Sequence, residues 1–426
     1  MSLTLTAATI TPPLQGFVYS DQQGPGQLFS VGSKYYYVTI AQVGVAENTN
    51  LLTVYKSSDI TTWTIAATLP PATPPASTAF NQDAPAILIG TTIYIVCAYS
   101  DGLGSTFLQI HIYDTATDSF SESSLGTSIG GAGQQLWSLS AQNDGSIIVS
   151  TTKIPGGVAF GYVVYTPGTD TWGSFTSIVA NASQVLQQAH DPVTDNTYIF
   201  YVTPLNAVRC FSIEPSGPAT DDALVYASLF PVGNVGTAIV SAATSEVVFV
   251  FRKFITGTST LFAIRSSTAW PPVFSVDTVD DGSALPPGTQ IQQYDQIASG
   301  GWFPVDIAGV LYAFYAVDNG ELDSASSESY IYYRTSSGPG VWSAPTLAYT
   351  TPIPAELLTP YGVEAADGTV VLMLGLIDPT LWPNYSSLSN VVLYSSPTPA
   401  APTVGYIAAQ LLTVIVLPDP SKDPCI

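Results

Sequence analysis

One strand–turn–strand unit recurs seven times along the chain, and that repetition limits the fold more than any other feature. The unit is clearest at Gly26–Val43, GQLFSVGSKYYYVTIAQV. It reads as a short strand (Gln27–Val31), a tight turn at Gly32-Ser33, and a second strand (Tyr35–Ala41) rich in Tyr, Val, Ile and Thr. Such residues suit a pleated, half-buried surface, and Gly-Ser reverses the chain between them. Aligned on the strand after the turn, the copies are Lys34–Thr39, Ala86–Ala98, Leu136–Thr151, Ala189–Thr203, Ala238–Arg252, Trp302–Val317 and Tyr361–Leu376. Tyr36, Tyr94, Ile148, Tyr198, Val248, Tyr312 and Val371 are equivalent. Their spacing, about 50 to 64 residues, is that of propeller blades with four strands each.

Each copy is followed by a third strand and a hairpin into a fourth, as in Leu108–Phe120 (LQIHIYDTATDSF) and Gly161–Trp172 (GYVVYTPGTDTW). No segment carries a sustained helical period. The sequence therefore predicts an all-β chain, a seven-bladed β-propeller of four-stranded antiparallel blades. Length alone favours about three domains, but a ring grows blade by blade around one axis, so residues 1–426 are expected to form a single propeller domain. One terminal strand must close the ring. Both the N-terminal segment 2–10 and the C-terminal segment 404–417 are strand-like, and the sequence leaves the choice open.

Two pairs of hairpins resemble known propeller families. Tyr113-Asp-Thr-Ala-Thr-Asp-Ser-Phe120 and Tyr165-Thr-Pro-Gly-Thr-Asp-Thr-Trp172 resemble the third-to-fourth-strand hairpin of kelch repeats. Ser57-Ser-Asp-Ile-Thr-Thr-Trp63 and Ser336-Ser-Gly-Pro-Gly-Val-Trp342 are similar to shortened Asp-box hairpins of sialidase-type propellers. The kelch double glycine is missing from most copies; the Asp-box glycine is absent from the first hairpin and its aspartate from the second. These hairpins build blades and carry no active-site residues, so the resemblance implies the fold and leaves the chemistry to the sites.

Charge narrows the partners. Lys and Arg number 9 against 31 Asp and Glu, a formal net charge of −22. Such a surface repels phosphate backbones and anionic lipids, so neither nucleic acid nor membrane insertion is expected. Charged residues make up only 9% of the chain, well below the roughly 25% of ordinary soluble domains. Cys97 and Cys210 fall on strands and read as small buried hydrophobes; Cys425 lies next to the end. No metal-ligand spacing occurs, and no cofactor is expected. The N-terminus has no basic region and no long apolar run, so no secretory signal is recognisable. An extracellular or virion-associated setting without such a signal is expected, with a cytosolic lectin-like protein as the alternative.

In a propeller the loops leading into the innermost strands form one mouth of the central channel. The polar residues before those strands are Asp21, Asp83, Gln135, Gln188, Asn234, Asp295 and Glu356. Each blade contributes one, and four of the seven are carboxylates, which makes the mouth a candidate ligand site. Paired carboxylates there would suit glycoside hydrolysis, with Asp83, Asp295 and Glu356 as candidates. A sialidase mechanism is disfavoured: Arg209, Arg252, Arg265 and Arg334 all fall on second or third strands, away from the mouth. His111 reads as a packing or surface residue and His190 as a turn residue. Trp302, Trp382 and Tyr385 fall outside the hairpin pattern and are candidates for an exposed stacking platform. The long turn-rich stretch Leu376–Leu388 is a candidate recognition loop.

The leading expectation is non-catalytic recognition or assembly on a virion or cell-surface appendage, with a glycan or a protein as partner. A glycoside hydrolase or lyase acting at the mouth is the second reading. A purely structural decoration protein, joined in homo- or hetero-assembly, is the third.

Overall fold

A strand with large apolar residues on both faces needs a partner on each side, and here every such strand is sandwiched between two neighbouring sheets. Tyr36 and Val38 face one neighbour while Tyr35 and Tyr37 face the other. A computed structural model of the chain shows seven small antiparallel sheets in a ring, a seven-bladed β-propeller. The structure describes residues 3–10, 27–42, 50–69, 85–100, 106–124, 126, 128–130, 138–153, 159–179, 184–203, 205, 207–215, 217–227, 232–255, 258–267, 273–292, 302–307, 309–321, 325–351, 356–357, 361–365, 367–377 and 388–395. Among them the only helical element is a 3-10 turn at Pro167–Thr169.

Blade 1 shows the plan: Gln27–Val31, Lys34–Gln42, Asn50–Ser57 and Thr64–Leu69, each paired with the next. The inner strands of blades 2 to 5 are Ala86–Ile89, Ser138–Ala141, Gln184–Asp191 and Val232–Ser241. Those of blades 6 and 7 come in two pieces, Gln290–Ile291 with Trp302–Ile307, and Glu356–Leu357 with Tyr361–Glu364. The outer strands of blades 2, 3 and 6 are likewise interrupted. In blade 3, Gly161 sits where the outer strand crosses, and a Cβ there would clash with the Thr176 carbonyl oxygen.

The N-terminus closes the ring. Thr6–Thr9 runs antiparallel to Leu388–Tyr394, the third strand of blade 7, with Thr6 opposite Tyr394 and Thr9 opposite Val391. Ile10, just beyond, is 1% exposed in the junction between blades 7 and 1. The C-terminal segment 404–417, the other candidate, lies outside the described residues.

Apolar packing is organised by junction rather than by blade. Seven clusters occur among the described residues, one at each junction. Phe200 of blade 4, for example, stacks on Phe249 of blade 5 with ring centroids 4.6 Å apart. Aromatic pairs of this kind add to the burial of area.

The kelch-like hairpins add a polar clamp. Tyr113 and Tyr165 each donate to an aspartate five residues on, Asp118 at 2.7 Å and Asp170 at 3.0 Å. Both aspartates have positive φ, 52° and 48°, which Asp tolerates better than most residues. Each carboxylate then reaches back to the preceding blade: Asp118 pairs with Lys56, and Asp170 accepts the Ser124 N–H at 3.0 Å. Trp172 Nε1 donates to the Ser124 carbonyl at 2.9 Å. In blade 1, Ile60 holds the positive-φ position and Asp59 closes its own turn, accepting the Thr61 and Thr62 N–H groups at 3.0 and 2.6 Å. Asp170→Gly keeps the backbone conformation and removes the clamp, so it is expected to cost about 1–2 kcal/mol. A Tyr165→Phe, Asp170→Gly double-mutant cycle in urea will measure the coupling; additive losses would show that the clamp is idle.

Candidate functional site

Strand direction separates the two ends of the ring. The first-to-second and third-to-fourth hairpins turn at one end, the turn face. The second-to-third loops and the connections between blades lie at the other, the connection face.

The turn face is bonded blade to blade. Asp306, on the inner strand of blade 6, accepts Ser241 Oγ at 2.7 Å and the Ala243 N–H at 3.2 Å from blade 5. Burial raises the Asp306 carboxyl above the usual range against the lowering effect of these bonds. Between blades 3 and 4, Asn143 donates its N–H to Asp195 at 2.8 Å and its amide to the Pro192 carbonyl at 2.8 Å. His190 lies beneath, with Nδ1 3.1 Å from Thr197 Oγ1, and Nε2 3.4 Å from Asn143 Oδ1 and 3.3 Å from Asp195 Oδ1. It is a satisfied, buried residue at the turn, as its position implied. His111 is buried too, and desolvation pushes it down to about 4.

Burial lowers the His190 pKa, and Asp195, Asp191 and Asp144 offset this only in part. The unfolded chain then takes up the proton first. Stability contributed by the neutral ring is present above the ordinary histidine value and is lost as pH falls from there through the folded value. Urea midpoints for the wild type are expected to fall more steeply between about pH 7 and 5 than those for His190→Gln. Parallel curves would refute the assignment.

Of the polar residues that the sequence places ahead of the inner strands, the structure describes the backbone of three and the side chain of Gln188 alone. Gln188 lies on the inner strand of blade 4, rather than in a loop before it, and is 5% exposed. Its Nε2 donates to Ser140 Oγ at 2.9 Å and to the Ile148 carbonyl at 2.8 Å, both in blade 3. The Gln188 amide thus joins two blades. Asn234 and Glu356 also fall on inner strands, and Trp302 opens the second piece of the blade 6 inner strand opposite Tyr315. Their side chains lie outside the description, as do Asp21, Asp83, Gln135, Asp295, Trp382 and Tyr385 altogether.

Arg252 is where the structure departs most from the sequence reading. It shares a strand face with Val248 and Val250, which pack on blade 6. Its side chain is buried, and Nη1 donates to the Gln292 carbonyl at 2.7 Å, just after the first piece of that blade's inner strand. Arg252 therefore reaches across to the inner strand of blade 6. The period-2 alternation Val248, Val250, Arg252 was the signal that could have found it. Next to it Gln290 Nε2 donates to Asp318 Oδ1 at 3.0 Å, and the same oxygen takes the Gly320 N–H at 2.8 Å. The following loop is pinned through Asn319, whose Oδ1 accepts the Glu321 and Glu328 N–H groups at 3.2 and 3.3 Å.

Arg265 and Arg334 serve the junction between blades 5 and 6. Arg334 Nε donates to Asp280 Oδ2 at 2.8 Å, and Tyr315 donates to the same oxygen. Burial, first, and Asp280 push the Tyr315 hydroxyl well above its ordinary value. Cys97 is buried, and desolvation pushes its thiol up, which makes it inert. Among the described residues no group of three or more His, Cys, Asp or Glu is placed to hold a metal ion.

No family model matches the chain, and no curated protein matches it. Solved structures are similar to it. The endosialidase of phage phi92 is 10% identical, with 94% of this chain and 70% of that chain covered and a TM-score of 0.50. An α-L-arabinofuranosidase from Fusarium graminearum is 12% identical over 91% of this chain and 96% of its own, with a TM-score of 0.47. A lectin of Aleuria aurantia, solved with α-methyl-L-fucoside, is 13% identical over 80% of this chain and 97% of its own, with a TM-score of 0.47. At 10% identity the likeness to the endosialidase is one of fold alone.

Proposed function

We propose that the chain is a glycan-recognition propeller that binds through its connection face. The observation that carries this reading is the division of labour between the two ends. At the turn face Asp118, Asp170, Asp195 and Asp306 are all committed to bonds between blades. We assign ligand chemistry to the opposite end, for which the sequence offers polar residues ahead of or early in the inner strands of every blade but the fourth, and the aromatic candidates Trp382 and Tyr385, whose rings can stack on sugars. The shared fold with an endosialidase supports a glycan as the ligand class. The reading carries with it an exposed setting, on a virion or a cell surface.

The test is binding of the purified chain to a broad glycan array. Selective binding to a few related glycans is expected, with alanine at Trp382, Tyr385 or Asp295 lowering it at least tenfold, or about 1.4 kcal/mol. A blank array on folded protein would overturn the reading in favour of assembly with a protein neighbour. The carboxylates Asp21, Asp83, Asp295 and Glu356 favour a second reading, glycoside hydrolysis at the same mouth. Turnover of a bound glycan that is lost in Asp295→Asn or Glu356→Gln would replace recognition by catalysis.

A further inference from the structure

We propose that Asn319-Gly320 is a self-modification site, where slow loss of the Asn319 side-chain amide makes a reversible opening of the blade 6 connection-face turn permanent. Of all the asparagines in the chain, Asn319 alone precedes a glycine. Glycine presents its backbone nitrogen with no side chain to shield it. In the reaction the Gly320 nitrogen attacks Asn319 Cγ. A new nitrogen–carbon bond forms, the bond from Cγ to Nδ2 breaks, and Nδ2 leaves as ammonia with the Gly320 amide proton. Water then opens the cyclic imide. Opening at Cγ restores the chain with a carboxylate at position 319. Opening at the main-chain carbonyl leaves an isoaspartate, which lengthens the backbone by a carbon.

The turn joins the second strand of blade 6, Val310–Asp318, to the third, Ser329–Gly338. Asn319 holds it shut. Its N–H donates to the Glu328 carbonyl at 3.2 Å, one step beyond the Asp318–Ser329 pair that ends the ladder. Its Oδ1 accepts the Glu321 and Glu328 N–H groups, and its Nδ2 donates to the Ser326 carbonyl at 2.7 Å. The attacking nitrogen is held as well. Gly320 N–H donates to Asp318 Oδ1 at 2.8 Å, and that oxygen also accepts Gln290 Nε2 at 3.0 Å from the inner strand. With both reacting groups bonded in the closed turn, attack has to await local opening.

Conversion then works against reclosure. A carboxylate at position 319 still accepts the two N–H groups, but it has no proton for the Ser326 carbonyl, so two acceptors face each other where Nδ2 made its bond. It also adds a negative charge among Asp318, Glu321 and Glu328. In the isoaspartate the extra main-chain carbon draws the Gly320 N–H away from Asp318, whose remaining bond to Gln290 ties the turn to the inner strand.

The full chain, native and in urea, is to be incubated in mildly alkaline buffer and mapped by peptide mass with isoaspartate detection. In urea Asn319 is expected to convert ahead of every other asparagine. In the native protein it is expected to convert at least about tenfold more slowly than in urea, and still to completion. Hydrogen exchange at the Glu328 amide is expected to be about tenfold faster in the converted protein and in Asn319→Asp, with the circular dichroism of the wild type kept. A native rate equal to or above the rate in urea would overturn the gating by the turn. An Asn319 that stays intact through prolonged native incubation would overturn the site itself. Unchanged exchange at Glu328 in the converted protein would show that conversion does not hold the turn open.

Discussion

Deletion of residues 1–10 is expected to abolish the folded ring. The loss combines three terms. The Leu388–Tyr394 strand loses its partner along Thr6–Thr9 and presents a bare apolar edge. Ile10 leaves a junction where it is 1% exposed, and Leu3 and Leu5 leave the neighbouring one. Removal of one buried aliphatic side chain costs about 2–5 kcal/mol, and whole domains hold only about 5–15 kcal/mol. The deletion therefore removes a large part of the total and adds an edge open to intermolecular pairing. Size-exclusion chromatography and near-ultraviolet circular dichroism will read the result as aggregate without aromatic signal. A monodisperse deletion variant with a native melting profile would show that closure by the N-terminal strand is dispensable. Ile10→Ala gives the graded version, a loss of about 2–5 kcal/mol in a folded protein.

Arg265→Ala is the second large effect, with an expected loss of about 3–5 kcal/mol in chemical denaturation. The Arg265 side chain is completely buried between blades 5 and 6. Its Nη2 donates to Glu246 Oε2 at 2.6 Å, and Nη1 to the Gly338 carbonyl at 2.6 Å and Ser336 Oγ at 2.8 Å. Asp277 Oδ2 lies 3.6 Å away, and the guanidinium sits over the Trp342 ring with 5.6 Å to its centroid. Alanine leaves the Glu246 and Asp277 carboxylates facing each other's field with no cation and leaves two acceptors of blade 6 without their donor. Arg265→Met combined with Glu246→Gln removes charge from both sides and fills part of the volume, so it is expected to lose less than the single alanine change. If the double variant fell as far as Arg265→Ala, the cost would lie in shape rather than in charge.

Much of this architecture was legible because the strands obey period 2 and the copies obey a period near one blade. Tyr36 and its six equivalents mark the same place in every sheet, so blade number followed from counting. Ring closure was not legible, because segments 2–10 and 404–417 alternate equally well, and only pairing distinguishes them. The kelch-like motifs marked the hairpins of blades 2 and 3, but neither the Tyr113–Asp118 and Tyr165–Asp170 bonds nor the reach of each aspartate into the preceding blade, a contact that joins residues 62 and 46 positions apart. For the site, the sequence placed a polar residue ahead of each inner strand. Strand extent then decided their roles: the blade 4 inner strand runs to Gln184 at its far end, which carries Gln188 into a blade junction. Arg252 reads from the sequence as a second-strand residue away from the mouth; its reach to the neighbouring inner strand follows because alternate residues of a propeller strand belong to the junction on either side.

The pairing of Thr6 with Tyr394 also sets a timetable for biosynthesis. Thr6–Thr9 must wait for nearly the last described strand before either finds its partner. At about 5–20 residues per second, translation of that interval occupies on the order of 20–80 s. Through that time six blades can stack in order as they emerge, while the two ends of the growing arc keep one apolar face each in water. The cell must shield those faces or make the protein at low local concentration. Errors at this stage lead to exchange of the first strand between two nascent chains, a swapped dimer with both rings closed.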